Sequence, residues 1–325
     1  MQRHEFFQLS GIILDLAVEA HELLRGATQR EIPGVKEEKE KLPNADITII
    51  NIMNKTGEQN MGKPQGIYIT IDAPSLRSEN PPVHEEIATI VAQKLDQLLN
   101  ALHIGPTDPI LVVGLGNWEA TPDSLGPKVI NQFTVTRHLL KYVPQNLPAG
   151  TRPVSALAPG VLGTTGIETA EIIRGVIDKT RPRAIIAIDA LAAGDLERVG
   201  SSIQITSTGI SPGSGVGNQR IGINQETMGI PVIAIGIPTV VHAGIIIYET
   251  INNLQQAFPN LNLQMNKDLA QHLSKNVLSP FGGNLTVTPK EIDDLVHNLA
   301  WVIGNALNKS LHSTLIKANA AIPLH

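Results

Sequence analysis

Apolar and polar residues follow one another along the chain in blocks that predict strands and helices in turn. Three runs of strand length, 110–113, 183–188 and 230–237, are apolar at nearly every position, as in parallel strands that are buried on both faces. In 84–103 the apolar residues instead recur at intervals of three and four, which predicts an amphipathic helix. Because strands alternate with helices over about 105–255, we expect right-handed crossovers and a largely parallel sheet.

The N-terminal part of the chain has a different pattern. Alternating apolar residues predict two further strands, at 45–53 and 66–71, joined by a polar loop at 54–65. Residues 14–24 have helical spacing, and the charged stretch 30–43 is typical of a solvated loop or an exposed edge. We therefore expect additional N-terminal strands, whose direction the pattern does not give.

Shorter signals complete the predicted order of elements. The pattern predicts helices from 123 to about 142, over 166–179 and over 243–254, and short strands at 155–161 and 202–207. Near the C-terminus, Thr288-Pro289-Lys290-Glu291 has the composition of a helix start, with Thr288 as the N-cap.

Composition narrows the classes of function. The chain has 325 residues, 42% of them hydrophobic, which is ample for one large α/β domain or two smaller ones. The net charge is −5 without a basic block, which argues against nucleic-acid binding. Cysteine is absent, so disulfides, thiolate metal sites and a cysteine nucleophile are excluded. Neither a secretory signal nor a membrane span is recognisable, so we expect a cytoplasmic protein.

Two aspartates are the leading candidates for chemistry. Asp123 follows the apolar run 110–113 after a turn containing Gly114 and Gly116, and Asp189 directly follows the run 183–188. Ligand crevices of open α/β sheets lie at the carboxyl ends of such strands. Two carboxyl groups there could share one water, one as base and the other as acid. Equally, Asp123 could cap a helix and Asp189 could make a structural hydrogen bond at the strand end.

Other catalytic and binding motifs are weak or missing. A dinucleotide motif beginning at Gly114 would place its third glycine at Glu119, and no helix follows Gly116 directly. The sequence contains no G-x-x-x-x-G-K-[ST], H-E-x-x-H or G-x-S-x-G motif. The glycine-rich loop 211–218 could cradle a phosphate or a substrate backbone, and His242 is the histidine nearest the predicted site.

Seven long blocks, in this order along the chain, resemble the spore germination protease family. They are 114–117 (GLGN), 121–127 (TPDSLGP), 159–168 (PGVLGTTGIE), 185–193 (IIAIDALAA), 212–218 (PGSGVGN), 229–241 (GIPVIAIGIPTVV) and 284–291 (NLTVTPKE). The resemblance implies an α/β fold with a mostly parallel sheet flanked by helices, similar to the hydrogenase-maturation endopeptidases. It also implies an endopeptidase that degrades the small, acid-soluble, DNA-protecting proteins of spores when germination begins.

The resemblance assigns roles to several residues. Asp123 and Asp189 match the two catalytic aspartates of an aspartic-type peptidase. Members are made as inactive precursors that remove their own N-terminal segment, and they assemble as homotetramers. Here this implies a propeptide of residues 1–15, cut between Asp15 and Leu16, and a single peptidase domain at 16–325, located in the cytoplasm of the forespore or the spore core. From their placement we further expect Asn117, Gly213, Gly215 and Gly217 to position the substrate backbone.

A metal site is not expected from the same resemblance. The maturation endopeptidases hold a metal with two acids, whose places Asp123 and Asp189 fill, and a histidine, whose place falls at Gly213. We therefore expect no metal and no other cofactor. A metal-dependent endopeptidase of the maturation type, and a catalytically silent spore protein that uses the fold for binding, remain the alternatives.

The chain departs from the family pattern at two places. Ile13 and Leu14 replace the Arg-Thr that usually precedes the processing site, so the altered residues lie on the leaving side of the predicted cut. His242 stands where members often have Asp, which leaves the role of that position open.

Overall fold

In the computed structural model, nine strands within the described residues form one sheet. The described residues are 3–26, 31–213, 220–258, 269, 272, 276, 278–282 and 284–318. The strands are β1 (Val35–Lys41), β2 (Asp46–Ile52), β3 (Gly66–Asp72), β4 (Ile110–Gly114), β5 (Val154–Leu157), β6 (Ala184–Ala193), β7 (Ser202–Thr206), β8 (Val232–His242) and β9 (Thr286–Val287). They lie in the order β1-β2-β3-β7-β8-β6-β4-β5, with β9 paired to β8.

The sheet is parallel where the predicted site lies and antiparallel elsewhere. Strands β8, β6, β4 and β5 pair in parallel, which confirms the predicted α/β class. On the other side, β7 runs antiparallel to both β8 and β3, and β1 to β3 form an antiparallel extension. The charged stretch containing β1 is the outermost strand, as expected for an exposed edge.

The described residues form twelve α-helices, which flank the sheet. They are α1 (Arg3–Leu9), α2 (Ala17–Arg25), α3 (Lys55–Met61), α4 (Pro81–Ala101), α5 (Leu125–Gln132), α6 (Arg137–Tyr142), α7 (Leu162–Thr165), α8 (Thr169–Thr180), α9 (Gln225–Met228), α10 (Ala243–Ala257), α11 (Ile292–Leu311) and α12 (Ser313–Lys317). None of them is long and apolar enough to cross a membrane.

Successive side chains of β6 point alternately into two different hydrophobic cores. Ile186 and Ile188 pack in the main core with the long helices α4 and α11. Ile185 and Ala187 point to the opposite face, where they pack with residues of α8 and α9. Since successive side chains of a strand alternate, Asp189 lies on this second face.

The N-terminal segment packs against the body of the protein. Phe6 and Phe7 of α1 are buried, and the ring of Phe6 stacks on Tyr248 of α10 with centroids 5.0 Å apart. Arg3 forms ion pairs with Asp195 and Glu249. Residues 3–15 thus have a defined docking place on the domain that follows them.

Several element boundaries differ from those predicted. The predicted polar loop 54–65 contains the helix α3, which the side chain of Asn54 caps by accepting a hydrogen bond from the amide of Gly57. The predicted helix 123–142 is two helices, since the chain is extended at Phe133 after α5. Thr288 does not cap a helix. Its hydroxyl donates to the carbonyl of Thr239, and α11 begins later, at Ile292.

Shortening a side chain between α11 and the sheet should destabilise the fold. Leu299 is fully buried in the main core, so Leu299→Ala should lower the free energy of unfolding by about 2–5 kcal/mol. The matched control is His297→Ala, an exposed position on the same helix. Denaturant unfolding followed by circular dichroism measures both, and equal stability of the two variants would contradict the packing described.

Candidate active site

The turn after β4 presents Asp123 at the end of the parallel strands. Gly116 has a φ of +112°, and a Cβ atom there would lie 2.0 Å from the carbonyl oxygen of Asp123. Only glycine therefore allows the turn to fold back on itself at this place. The folded turn brings the amide of Asn117 to 2.8 Å from Oδ2 of Asp123, to which it donates a hydrogen bond.

Hydrogen bonds from two neighbouring elements fix this turn. The hydroxyl of Thr239, on β8, donates to the carbonyl of Pro122 at 2.7 Å. The hydroxyl of Thr121 donates to Oδ1 of Asp293 on α11 at 3.1 Å. Asp123 is thereby held from the sheet on one side and from α11 on the other.

Asp189 occupies a position inside β6 and not at its end, contrary to the sequence prediction. Pairing with β4 stops at Ile188, whereas β6 continues to Ala193 alongside β8. Asp189 is only 4% exposed, and its Oδ1 accepts a hydrogen bond from the amide of Ala190 at 3.0 Å. A carboxyl group is thus built into an apolar strand just beyond the end of its neighbour.

Asp123 and Asp189 line the same cavity, which has a volume of about 550 Å³. Asn117, Gly213 and Asp15 also line it, so five of the eight predicted site residues lie around one cavity. The side-chain oxygen of Asn117 accepts a hydrogen bond from the amide of Glu119. Of the other three predicted positions, Leu16 does not line the cavity, and Gly215 and Gly217 lie outside the described residues.

Burial dominates the electrostatics of both carboxyl groups. It raises the pKa of Asp189 well above its ordinary range, and the nearby negative charges of Asp123 and Asp15 raise it further. Burial also raises the pKa of Asp123, although the hydrogen bond from the amide of Asn117 opposes this shift. Of the two, Asp189 is the group that keeps its proton more readily.

The N-terminal segment reaches into the cavity at the predicted processing bond. Asp15 lines the cavity, and its Oδ2 accepts a hydrogen bond from the amide of Ala192 at 2.9 Å. The next residue, Leu16, is fully buried in a cluster that includes Ile50, Tyr68 and Leu191. The bond between residues 15 and 16 therefore lies between the carboxyl cavity and an apolar pocket.

His242 has a structural role in the described part of the chain. It is the N-cap of α10, where its Nδ1 accepts a hydrogen bond from the amide of Gly244 at 3.0 Å. It is not among the described residues that line the cavity. Nor do the described residues contain a group of three or more His, Cys, Asp or Glu side chains placed to hold a metal ion.

Three residues of this region escaped the sequence analysis. Thr239 is a polar side chain inside a largely apolar strand, and that interruption is a signal by which it could have been found. Gln204 lies in a strand that alternates polar and apolar residues, where nothing distinguishes it from Ser202 and Thr206. Lys63 donates to the carbonyl of Asp15, but it stands in a polar stretch where nothing in the sequence distinguishes it.

Comparison with known proteins gives consistent matches over nearly the whole chain. The sequence profile of the peptidase family A25, germination protease, matches residues 15–270 and 253–322. A germination protease of Caldanaerobacter subterraneus is 46% identical over 97% of this chain and 98% of its own length. Those of Clostridium acetobutylicum and Bacillus subtilis are 42% and 38% identical, over 94% of this chain and 97% and 94% of their own lengths.

The burial of Asp189 predicts a pH-dependent gain of stability on its removal. Because folding raises the pKa of Asp189 above 3.8, the folded state favours its protonated form, and ionisation at neutral pH costs stability. Asp189→Asn should therefore unfold several degrees above wild type at pH 7, and the difference should vanish as the pH falls towards 4.

Thermal unfolding measured across this pH range tests the expectation. Asp178→Asn, on an exposed site of α8, removes the same charge without the burial and should match wild type throughout. A wild type as stable as Asp189→Asn at neutral pH would show that Asp189 is not desolvated.

Proposed function

The chain belongs to the germination protease family, and we propose that it uses Asp123 and Asp189 to hydrolyse small acid-soluble spore proteins. Family membership makes it a spore germination endopeptidase. The observation that carries the finer proposal is that these two carboxyl groups line one cavity and differ in burial. An acid and a base held in different environments are what peptide hydrolysis by water requires.

Asp123 is the base in this mechanism and Asp189 is the acid. Ionised Asp123 takes a proton from a water molecule as the water oxygen adds to the peptide carbonyl carbon. Protonated Asp189 then gives its proton to the leaving nitrogen when the carbon–nitrogen bond breaks. The assignment follows from the raised pKa of Asp189, which keeps it protonated beside Asp123.

Each carboxyl group has neighbours that favour the protonation state its role requires. The amide of Asn117 donates to Asp123 and so favours its charged form. Asp189 has apolar neighbours along β6 and lies beside the charge of Asp123, both of which favour its neutral form. Asn117 and Gly213, together with Gly215 and Gly217, are proposed to bind the substrate backbone at the rim.

We further propose that residues 1–15 keep the chain in an inactive precursor form. Asp15 occupies the cavity in which a substrate would bind, and α1 docks on α10. Cleavage between Asp15 and Leu16 would release the first segment and leave the peptidase domain, 16–325. The carbonyl oxygen of Leu14 accepts a hydrogen bond from Lys63, a main-chain contact that does not depend on the side chain. The change from the usual family residue at this position is therefore compatible with processing.

The remaining parts of the proposal follow from the family. They are a homotetramer in solution, action in the spore core and catalysis without a metal ion. Gly213, which the resemblance aligns with the histidine of the maturation-type enzymes, lines the cavity and offers no side-chain ligand.

Loss of either carboxyl group should abolish proteolysis. Incubation of the purified chain with acid-soluble spore proteins should give defined fragments, whereas Asp123→Asn and Asp189→Asn should each be slower by about 10³-fold or more. Asp178→Asn serves as the matched control and should cleave like wild type. Fragments are followed by mass spectrometry, and near-normal cleavage by either dyad variant would refute the two-carboxyl mechanism.

Treatment with a chelator should leave the activity unchanged. The enzyme is dialysed against EDTA and assayed with and without added Zn²⁺ or Ni²⁺. A loss of cleavage on dialysis that either metal restores would instead identify a metal-dependent enzyme of the maturation type.

A further inference from the structure

Lys63 binds the main chain at the predicted processing bond. Nζ of Lys63 donates hydrogen bonds to the carbonyl oxygens of Leu14, at 2.9 Å, and of Asp15, at 3.0 Å. The second of these oxygens belongs to the peptide bond between Asp15 and Leu16. Lys63 is therefore a positively charged hydrogen-bond donor to the carbonyl group that water would attack during processing.

The loop that carries Lys63 is well anchored. Helix α3 ends at Met61, and Gly62 follows in the left-handed conformation with its amide bound to the carbonyl of Glu58. One residue after Lys63, the carbonyl of Pro64 accepts a hydrogen bond from the hydroxyl of Tyr68 at 2.8 Å. Lys63 is thus placed by contacts on both sides of it.

Gln204 holds the same segment from the sheet. Its Oε1 accepts a hydrogen bond from the amide of Ala17 at 2.7 Å, and its Nε2 lies 3.4 Å from the carbonyl oxygen of Asp15. Gln204 and Asp189 pair with the same residue of β8, Gly236, from opposite sides. Their side chains therefore project from the same face, two strands apart, with the segment held between Lys63, Gln204 and β6.

The surroundings of Lys63 act on its charge in opposite directions. Burial lowers the pKa of Lys63, while the negative charges of Asp15 and Glu19 oppose that shift. An ammonium group with little water around it interacts more strongly with a carbonyl oxygen than an exposed one would. Because Lys63 donates to the carbonyl oxygen of the predicted cleavage bond, the arrangement points to a role at the bond itself.

Resting on the proposed cleavage between Asp15 and Leu16, we propose that Lys63 presents this bond to the two carboxyl groups and stabilises the oxyanion formed there. When water adds to the carbonyl carbon of Asp15, one proton passes to a carboxylate and the negative charge develops on the oxygen bound by Lys63. Collapse then breaks the carbon–nitrogen bond, and the nitrogen of Leu16 receives a proton from the protonated carboxyl group. Gln204 is a positioning residue that holds Ala17 on the far side of the bond.

The alternative role for Lys63 is that of a latch, which would only keep the segment in place. The two roles predict opposite effects of removing the ammonium group. Without a latch the bond would move more freely, and processing would keep its rate or become faster. Without a donor to the reacting carbonyl, processing becomes slower, since loss of one oxyanion donor costs on the order of 10²–10³ in rate.

The test compares Lys63→Met with Lys55→Met in the full chain. Lys55 is an exposed lysine at the start of α3, so the control removes the same charge from the same helical region. The loss of residues 1–15 is followed by intact mass over a range of pH. We expect Lys63→Met to be processed at least about tenfold more slowly than wild type, and Lys55→Met to match wild type. Processing of Lys63→Met at the wild-type rate or faster would overturn the proposal.

A second readout does not depend on catalysis. In an Asp189→Asn background the bond stays intact, and amide hydrogen exchange of peptides covering residues 13–18 reports how firmly the segment is held. Adding Lys63→Met or Gln204→Met should speed this exchange several-fold, and adding Lys55→Met should not. Unchanged exchange on adding Lys63→Met would overturn the proposal.

The two readouts separate this inference from the proposed function. A wild-type chain that never loses residues 1–15 would refute self-processing and, with it, the part of Lys63 in catalysis. The exchange measurement would still decide whether Lys63 holds the segment. Conversely, normal processing of Lys63→Met with normal cleavage of spore proteins would refute the role of Lys63 and leave the carboxyl pair untouched.

Discussion

The desolvation of Asp189 is the constraint on which the site depends. A carboxyl group within an apolar strand is costly to ionise, and here a second carboxyl group, Asp123, is turned towards the same cavity. Strand β4 ends at Gly114 while β6 continues, which leaves space beyond Ile188 where the two carboxyl groups can lie. Thr239 then ties the turn carrying Asp123 to the neighbouring strand β8.

The same open space explains how the N-terminal segment fits the site. Because β6 extends beyond β4, Asp15 can reach the amide of Ala192 while Leu16 fills an apolar pocket. Docking of α1 through Phe6 supplies binding energy away from the bond itself. The segment is therefore held by contacts on both sides of the peptide bond between Asp15 and Leu16.

Features that a buried strand or a turn imposes on composition could be predicted from the sequence. The runs 110–113 and 183–188 are largely apolar because both faces of these strands are covered. This predicted that Asp123 and Asp189 lie close together, although Asp189 is inside β6 and not at its end. Helix α3 was missed because its polar residues carry no apolar periodicity. Lys63 was missed because a contact made 48 residues away in the chain leaves no local trace.

Titration of the aspartate carboxyl groups in the intact chain tests the central claim most directly. With ¹³C-labelled aspartate, one carboxyl resonance should titrate well above the ordinary value of 3.8. It should be absent from Asp189→Asn and should titrate at lower pH in Asp123→Asn, where the neighbouring charge is gone. If every aspartate of wild type titrates in the ordinary range, or if the Asp123→Asn substitution leaves the Asp189 resonance unmoved, the two carboxyl groups do not form a coupled, desolvated pair.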